Sequence, residues 1–387
     1  MNAIVMQCGG PTAVVNASLA GVIQTCREHP AIGQLWGARY GLRGFARGDW
    51  VELTDYEHTG PYPLPLQPGA MLGGGRDQLK DSDLPRVVEL LHQHAICAVF
   101  IIGGNGSMAA AHKLHAYAMR SGYACNQQSL RVIGIPKTID NDLEGTDFAP
   151  GYGSAARFVA QTVCDVGLDL VAMRGFDDVA VLEVMGRHTG WLAAASALAR
   201  YEEGSPPHLI LLPEVALDEM QLLATIRDVH ARYRVCLIVA AEGVRDQSGA
   251  FLAEKDQRAQ YDASGQKLLS LSVGVAPYLA NLIRQQLGLR CRQMRPDTLQ
   301  RSSSTLVSVP DRECATRVGV DAVHAAIHGR SDVMMGLQRD GMVWRTVPMP
   351  LDEVANQTRT LSDNFIASHL FAVTKAFLEY ARPIMGL

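Results

Sequence analysis

Arg131-Val-Ile-Gly-Ile-Pro-Lys-Thr-Ile-Asp-Asn-Asp142 changes character half-way along. The run to Ile135 is apolar and strand-like. Pro136 cannot donate to a sheet ladder and disfavours helix in the residue before it, so a strand ends there and a loop begins. The loop brings together a cation (Lys137), a hydroxyl (Thr138) and two carboxylates spaced i, i+2, Asp140 and Asp142. That equipment suits phosphoryl transfer. The cation can neutralise charge on the moving group, one carboxylate can take the proton of an attacking hydroxyl, and the other can meet a metal ion. The same residues also read as an ordinary polar turn of Asx hydrogen bonds, and this stretch alone leaves both readings open.

The surrounding chain repeats one theme. Residues 3–6 form a short apolar strand, Gly9-Gly10-Pro11 turns the chain, and residues 13–26 have helical spacing through Val15, Leu19, Val22 and Ile23. Residues 98–102 form a second strand, followed by Gly103-Gly-Asn-Gly-Ser107 and a helix over 108–118. Strand, glycines and helix start aim backbone N–H groups and the positive end of a helix dipole at the loop, where a phosphate can sit. A plain α/β turn using Gly for its backbone freedom explains the first unit equally well. The repetition predicts a parallel α/β sheet with ligands outside the carboxyl ends of its strands.

Residues 34–40 are a further strand candidate, and 61–67 are proline-rich and irregular. Gly73-Gly-Gly-Arg76 reads either as a loop flexible enough to close over a ligand or as a mobile surface loop. A long helix over 154–173, capped by Ser154, leads into a second α/β region with strands at 179–184, 208–212 and 235–241 and a helix at 222–232. Residues 246–266 are polar and read as a surface excursion. Residues 268–287 read as a helix kinked at Pro277, with further helices at 314–328 and 368–381. Gly151-Tyr-Gly-Ser-Ala-Ala156 matches a dinucleotide fingerprint superficially, but no strand precedes it and a nicotinamide site is discounted.

Composition excludes several classes. At 387 residues with 48% hydrophobic and 19% charged, the chain buries a sizeable core. Only 6% are aromatic, which argues against a stacking platform for nucleic acid, and a net charge of −4 provides no basic field for polyanions. The eight cysteines show no C-x-x-C pair, so a disulfide framework is not expected and a reducing compartment is. No run approaches the roughly 18 apolar residues of a membrane span, and the expectation is a cytoplasmic protein without nucleic-acid or membrane partners.

Pro136-Lys-Thr-Ile-Asp-Asn-Asp142 resembles the signature of the phosphofructokinase superfamily. Gly9-Gly10-Pro11, Gly103-Gly-Asn-Gly-Ser107, Met185-Gly-Arg-His-Thr-Gly-Trp191 and Leu299-Gln-Arg301 match further blocks in family order. The resemblance implies two Rossmann-like three-layer α/β domains with mainly parallel sheets and an active site in the cleft between them. Residues 1–154 plus 301–352 would bind the phosphoryl donor, and residues 155–300 plus 353–387 the sugar phosphate. The implied reaction phosphorylates the 1-hydroxyl of fructose 6-phosphate, a step of glycolysis. Asp140 matches the proton acceptor and Lys137 the cation that stabilises charge in flight. Thr138 and Asp142 complete the catalytic set. Gly10, Tyr40, Arg76, Gly104, Asn105, Gly106 and Ser107 match donor-binding positions. Thr138, Asp140, Met185, Gly186, Arg187, Glu242, Arg292, Thr298 and Arg301 match acceptor-binding positions. Asn105 and Asp142 would hold Mg²⁺, and because the family's sites lie between subunits a homodimer or homotetramer is implied.

Some positions depart from the family's usual patterns. Lys137 is typical of pyrophosphate users, whereas Gly106 leaves the space that an ATP α-phosphate needs. ATP is therefore the leading donor and pyrophosphate the alternative. Thr298 stands where bacterial ATP enzymes usually have His. Asp178 stands nine positions before Arg187, where a basic residue is usual, and an acid there would repel a sugar phosphate. A kinase for another sugar and a weakly active regulatory paralogue are the further alternatives.

Overall fold

Apolar runs closed by Gly or Pro become the strands of two separate sheets. The computed structural model describes residues 1–255, 274–341, 343–367 and 371–387. In chain order the main elements are β1 (Asn2–Gln7), α1 (Val15–Glu28), β2 (Leu35–Ala38), β3 (Trp50–Glu52), α2 (Leu84–Gln93), β4 (Ile96–Gly103), α3 (Asn105–Arg120), β5 (Arg131–Pro136), α4 (Tyr152–Ala172) and β6 (Val179–Val184). There follow β7 (Leu209–Leu211), α5 (Glu219–Tyr233), β8 (Cys236–Ala241), α6 (Val275–Leu287), β9 (Cys291–Met294), α7 (Val309–Ile327), β10 (Val333–Asp340), β11 (Val343–Pro350) and α8 (Lys375–Met385). The chain divides into two units, Met1–Ser154 with Val307–Arg359 and Ala155–Leu306 with Thr360–Leu387. The sequence reading put the return crossings at 301 and 352, so Arg301 lies in the second unit and not the first.

The first unit holds a seven-stranded sheet in the order β11-β10-β5-β4-β1-β2-β3. β2, β1, β4, β5 and β10 run parallel, and the outer β3 and β11 are antiparallel to their neighbours. All eight residues of β4 are buried, as expected of a parallel strand covered on both faces. The chain leaves β1 toward β2 and later returns to β4 on the other side, so the switch point lies between β1 and β4. The second unit has a parallel four-stranded sheet, β9-β6-β8-β7. Its α6 buries Val275, Leu279 and Ile283 at helical spacing, and α5 is capped by Asp218, which accepts from the N–H groups of Met220 and Gln221.

Several expectations need correction. α4 begins at Tyr152, two residues before the expected cap, and the Ser154 hydroxyl donates to Asp311 instead. Pro277 falls in the first turn of α6, where a missing N–H has no helical partner to lose, so it begins the helix and does not kink it. The earlier part of that expected helix, residues 268–273, lies outside the described residues, as do 256–266 of the expected excursion and 368–370 of the last helix. Cys97 and Cys125 form a disulfide. The short hairpin of Ala124–Cys125 with Gln128–Ser129 returns Cys125 to the start of β4, a proximity that no spacing pattern announces. The other six cysteines are free. No helix among the described residues is long and apolar enough to cross a membrane.

Candidate active site

The loops after β1, β4 and β5 emerge at neighbouring strand ends of the first unit. Lys137 follows Pro136, and its backbone N–H donates to the Gly103 carbonyl at 3.0 Å. Its ammonium donates to the Gly10 carbonyl at 2.8 Å, with the residue only 5% exposed. Lys137 thus ties its own loop to the other two, by its backbone to the end of β4 and by its side chain to the loop after β1. Gly9 makes room for it with φ +76°, since a Cβ there would stand 3.0 Å from Lys137 Nζ. Cys8 lies alongside, its thiol pushed up to about 12 by burial although Lys137 pulls the other way.

Thr138 and the two acids are fixed by their own loop. The Thr138 N–H donates to the Pro150 carbonyl, and Thr138 Oγ1 accepts from the Asp140 N–H at 3.1 Å. Asn141 between the acids takes φ +54°, and its side-chain oxygen accepts from the Ala149 N–H, which turns Asp140 and Asp142. Asp142 accepts from Asn105 Nδ2 at 2.9 Å. Asn105 opens α3, whose first turn carries no acid and no side-chain cap, so the amides of Asn105, Gly106 and Ser107 stand at a positive helix end. Gly104 precedes it as the N-cap residue. A Cβ on Gly106 would meet nothing within 4 Å.

Among the described residues no cluster of three or more His, Cys, Asp and Glu could hold a metal ion. Asn105 Oδ1 is nevertheless a buried oxygen without a hydrogen-bond partner, on the same amide whose Nδ2 donates to the Asp142 carboxylate. An orphan oxygen on an amide bonded to a carboxylate fits Mg²⁺, which uses few protein ligands and takes the rest from phosphates and water.

The glycine-rich loop of residues 73–75 is not a free flap. Gly75 pairs with Gly9 in an antiparallel bridge, and the Gly9 N–H donates to the Gly75 carbonyl at 2.7 Å. Gly74 faces the Gly9 carbonyl, and a Cβ on Gly73 would press 2.7 Å from the Tyr40 ring. These glycines permit close packing, which a sequence reading mistakes for mobility. Arg76 follows, exposed, and Tyr40 stands nearby, 48% exposed, with φ +56°.

In the second unit, Met185, Gly186 and Arg187 leave the carboxyl end of β6, and Glu242 leaves that of β8. Gly186 N–H approaches Glu242 Oε1 at 3.4 Å, and Met185 N–H donates to Gln300 at 3.0 Å. Met185, Glu242 and Gln300 line a small cavity with Glu183, Arg295 and Asp297. Arg292 is not part of it. It projects beside Ala180 and Met294 and is paired with Asp177 at 2.6 Å and Asp169 at 3.3 Å. Thr298 is exposed, and Arg301, partly buried, sits in the short helix Leu299–Ser302. Asp178 lies at the opposite end of β6 from Met185, where Arg290 grips it at 2.9 and 3.2 Å. That guanidinium holds its carboxyl down at about 2. Within its own chain Asp178 is a sheet-end clamp, at the far end of β6 from the loop of Met185, Gly186 and Arg187.

The family model described as Phosphofructokinase matches residues 2–326. The chain belongs to the phosphofructokinase family. It is a phosphotransferase with an alcohol group as acceptor. A pyrophosphate–fructose 6-phosphate 1-phosphotransferase of Halomonas elongata is 35% identical over 99% of this chain and 91% of its own length. A sulfofructose kinase of Alkalicoccus urumqiensis is 33% identical over 100% and 96%, and an ATP-dependent 6-phosphofructokinase of Mycobacterium tuberculosis is 29% identical over 86% and 90%. The crystal structure of a pyrophosphate-dependent phosphofructokinase from Marinobacter aquaeolei superposes with a TM-score of 0.87 at 34% identity, over 99% of this chain and 91% of that one. These phosphofructokinase likenesses favour the pyrophosphate alternative over the ATP donor suggested by Gly106. Open space permits a nucleotide without attracting one.

Sequence reasoning overlooked Glu183 and Asp311; it noted Arg295 only as local positive charge and Gln300 only as part of the Leu299-Gln-Arg301 block. Glu183 was signalled by an acid inside the apolar run Val179-Ala-Val-Leu-Glu-Val184, and Asp311 by its place three residues after Ser308, where a capping pair belongs.

Proposed function

We propose that this chain transfers a phosphoryl group from pyrophosphate to the 1-hydroxyl of fructose 6-phosphate. The observation that carries the donor is its similarity, over nearly the whole chain, to pyrophosphate-dependent relatives, joined to a buried Lys137 at the three loop ends. The amides at the start of α3, with Arg76 and Tyr40, hold pyrophosphate. Met185, Gly186, Arg187 and Glu242 hold the sugar. Asp140 accepts the hydroxyl proton as the 1-oxygen bonds to phosphorus, and the bond to the departing phosphate breaks. Lys137 offsets the charge that spreads over the transferring oxygens. Asn105 and Asp142 would hold Mg²⁺, which supplies further charge neutralisation when bound. Homo-oligomeric assembly belongs to the same reading.

A second reading concerns the acceptor alone. The sulfofructose kinase relative matches this chain end to end, so a sugar carrying sulfonate in place of phosphate is the competing acceptor. Purified protein with Mg²⁺ is assayed with pyrophosphate or ATP against fructose 6-phosphate or sulfofructose. Turnover of fructose 6-phosphate with pyrophosphate is expected, and Asp140→Asn should lower kcat by about 100-fold or more while binding persists. Turnover with ATP alone, or undiminished turnover in Asp140→Asn, refutes the donor or the base respectively.

A further inference from the structure

Under the acceptor loops of the second unit lies a carboxylate with no part in the chemistry just described. Glu183 is an acid in the otherwise apolar strand β6 and is only 4% exposed. Its Oε2 accepts from the Ala276 N–H at 2.8 Å, at the first turn of α6. Arg295 Nε stands 3.6 Å from its Oε1. Gly274 has φ +91°, and a Cβ there would come within 2.6 Å of Oε2 and 2.9 Å of Oε1, so glycine leaves the carboxylate its seat. Burial pushes Glu183 up to about 7; Glu242 adds to the shift, and the Ala276 N–H and Arg295 oppose it.

Arg295 differs from the arginine that the motif singled out. Along a strand, side chains alternate between faces, so positions three apart in sequence point to opposite sides. Arg292 turns toward Asp169 and Asp177, whereas Arg295, just past the end of β9, lines the cavity that holds Met185 and Glu242. The remaining charged groups of that cavity are Glu183, Glu242 and Asp297. A lining of three carboxylates would repel a sugar bearing an oxyanion, and Arg295 is the cation placed against that repulsion. A guanidinium is a rigid planar fork, so a carboxylate beside its Nε sets the direction of the whole group.

We propose that Arg295 is an acceptor-binding residue for the oxyanion-bearing sugar, and that Glu183 is the positioning residue that holds it in the cavity beside Met185 and Glu242. The inference rests on the acceptor site assigned above. The oxyanion is phosphate or sulfonate, two groups of shared chemistry.

The test uses the full chain and Arg295→Met, Arg295→Lys, Glu183→Gln and the Arg295→Met/Glu183→Gln double variant. The KM values for sugar and pyrophosphate are measured separately, and binding of fructose 6-phosphate and of sulfofructose is followed by calorimetry. Arg295→Met should weaken the sugar by about 10-fold or more and leave the pyrophosphate KM within about twofold. Arg295→Lys should recover part of the loss, because charge returns without the fork. Glu183→Gln should weaken the sugar in the same direction but add little in the double variant, because the two residues act as a unit. A sugar KM in Arg295→Met within about twofold of wild type overturns the proposal, as does full additivity in the double variant. The two calorimetric arms say which oxyanion is preferred. Wild type that binds either sugar without phosphorylating it refutes the reaction and leaves the binding comparison to decide on Arg295. Wild type that binds neither sugar refutes both.

Discussion

Lys137 shows how one residue can depend on the backbone of another. Its ammonium is drawn in to the Gly10 carbonyl at a place where water is nearly excluded, so its charge acts at short range. What keeps that path open is the missing Cβ of Gly9. Alanine at position 9 would have to hold φ +76° and also displace Nζ from 3.0 Å. With Lys137 in the role proposed above, Gly9→Ala should cost about 10-fold or more in kcat, since small misplacements of a charge beside the reacting group are expensive. The overall fold, read by circular dichroism, should remain. Wild-type kcat in that variant would mean that Lys137 tolerates the shift and plays no close part in transfer.

At the scale of elements, the loop that carries Lys137, Asp140 and Asp142 is tied down from behind by the start of α7. Asp311 is fully buried and accepts from the Gly151 and Ser154 N–H groups at 2.9 and 2.8 Å and from the Ser154 hydroxyl. Gly151 in turn bridges to Thr138, two residues before Asp140. Asp311→Asn turns one accepting oxygen into a donor facing donors. It should cost about 1–3 kcal/mol of stability and lower kcat without raising the pyrophosphate KM more than about threefold, as measured by denaturant titration and initial rates. An unchanged denaturation midpoint would show that these bonds contribute nothing. The contrast with β5 explains what the sequence discloses. β1, β4, β5, β6 and β8 are legible because central parallel strands are continuous apolar runs ended by Gly, Pro or a polar loop, and the motif-bearing loops follow directly. The outer β9, Cys-Arg-Gln-Met, is only four residues long with two adjacent exposed polar residues at its centre, and escapes notice. Asp311 and Glu183 escape for another reason. Their partners lie 160 and 93 positions away, and only the folded chain makes those donors neighbours.

At the scale of the molecule, the second unit contains two buried titrating groups whose effects on stability oppose each other. Burial raises Glu183 from 4.5 to about 7, so between those values the native state holds a proton that the unfolded chain has lost. Stability therefore falls as pH rises through that window. His208 goes the other way. Burial, helped by Arg200, lowers it from 6.5 to about 4, and its Nδ1 accepts from the Leu237 N–H, so the ring is held neutral. Between pH 4 and 6.5 the unfolded chain binds the extra proton, and stability rises with pH. In wild type the two slopes partly cancel. Glu183→Gln removes the falling one and leaves the rising one. The variant should match wild type in apparent unfolding temperature near pH 5, where Glu183 is mostly protonated, and exceed it near pH 8, where wild type carries a buried anion. Scanning calorimetry at the two pH values reads the difference directly, following the midpoint because two cores need not unfold as one. A variant–wild type difference that stays constant from pH 5 to pH 8 would mean that Glu183 does not titrate in this range. The carboxylate would then be ionised throughout, bound to Arg295 as a permanent pair.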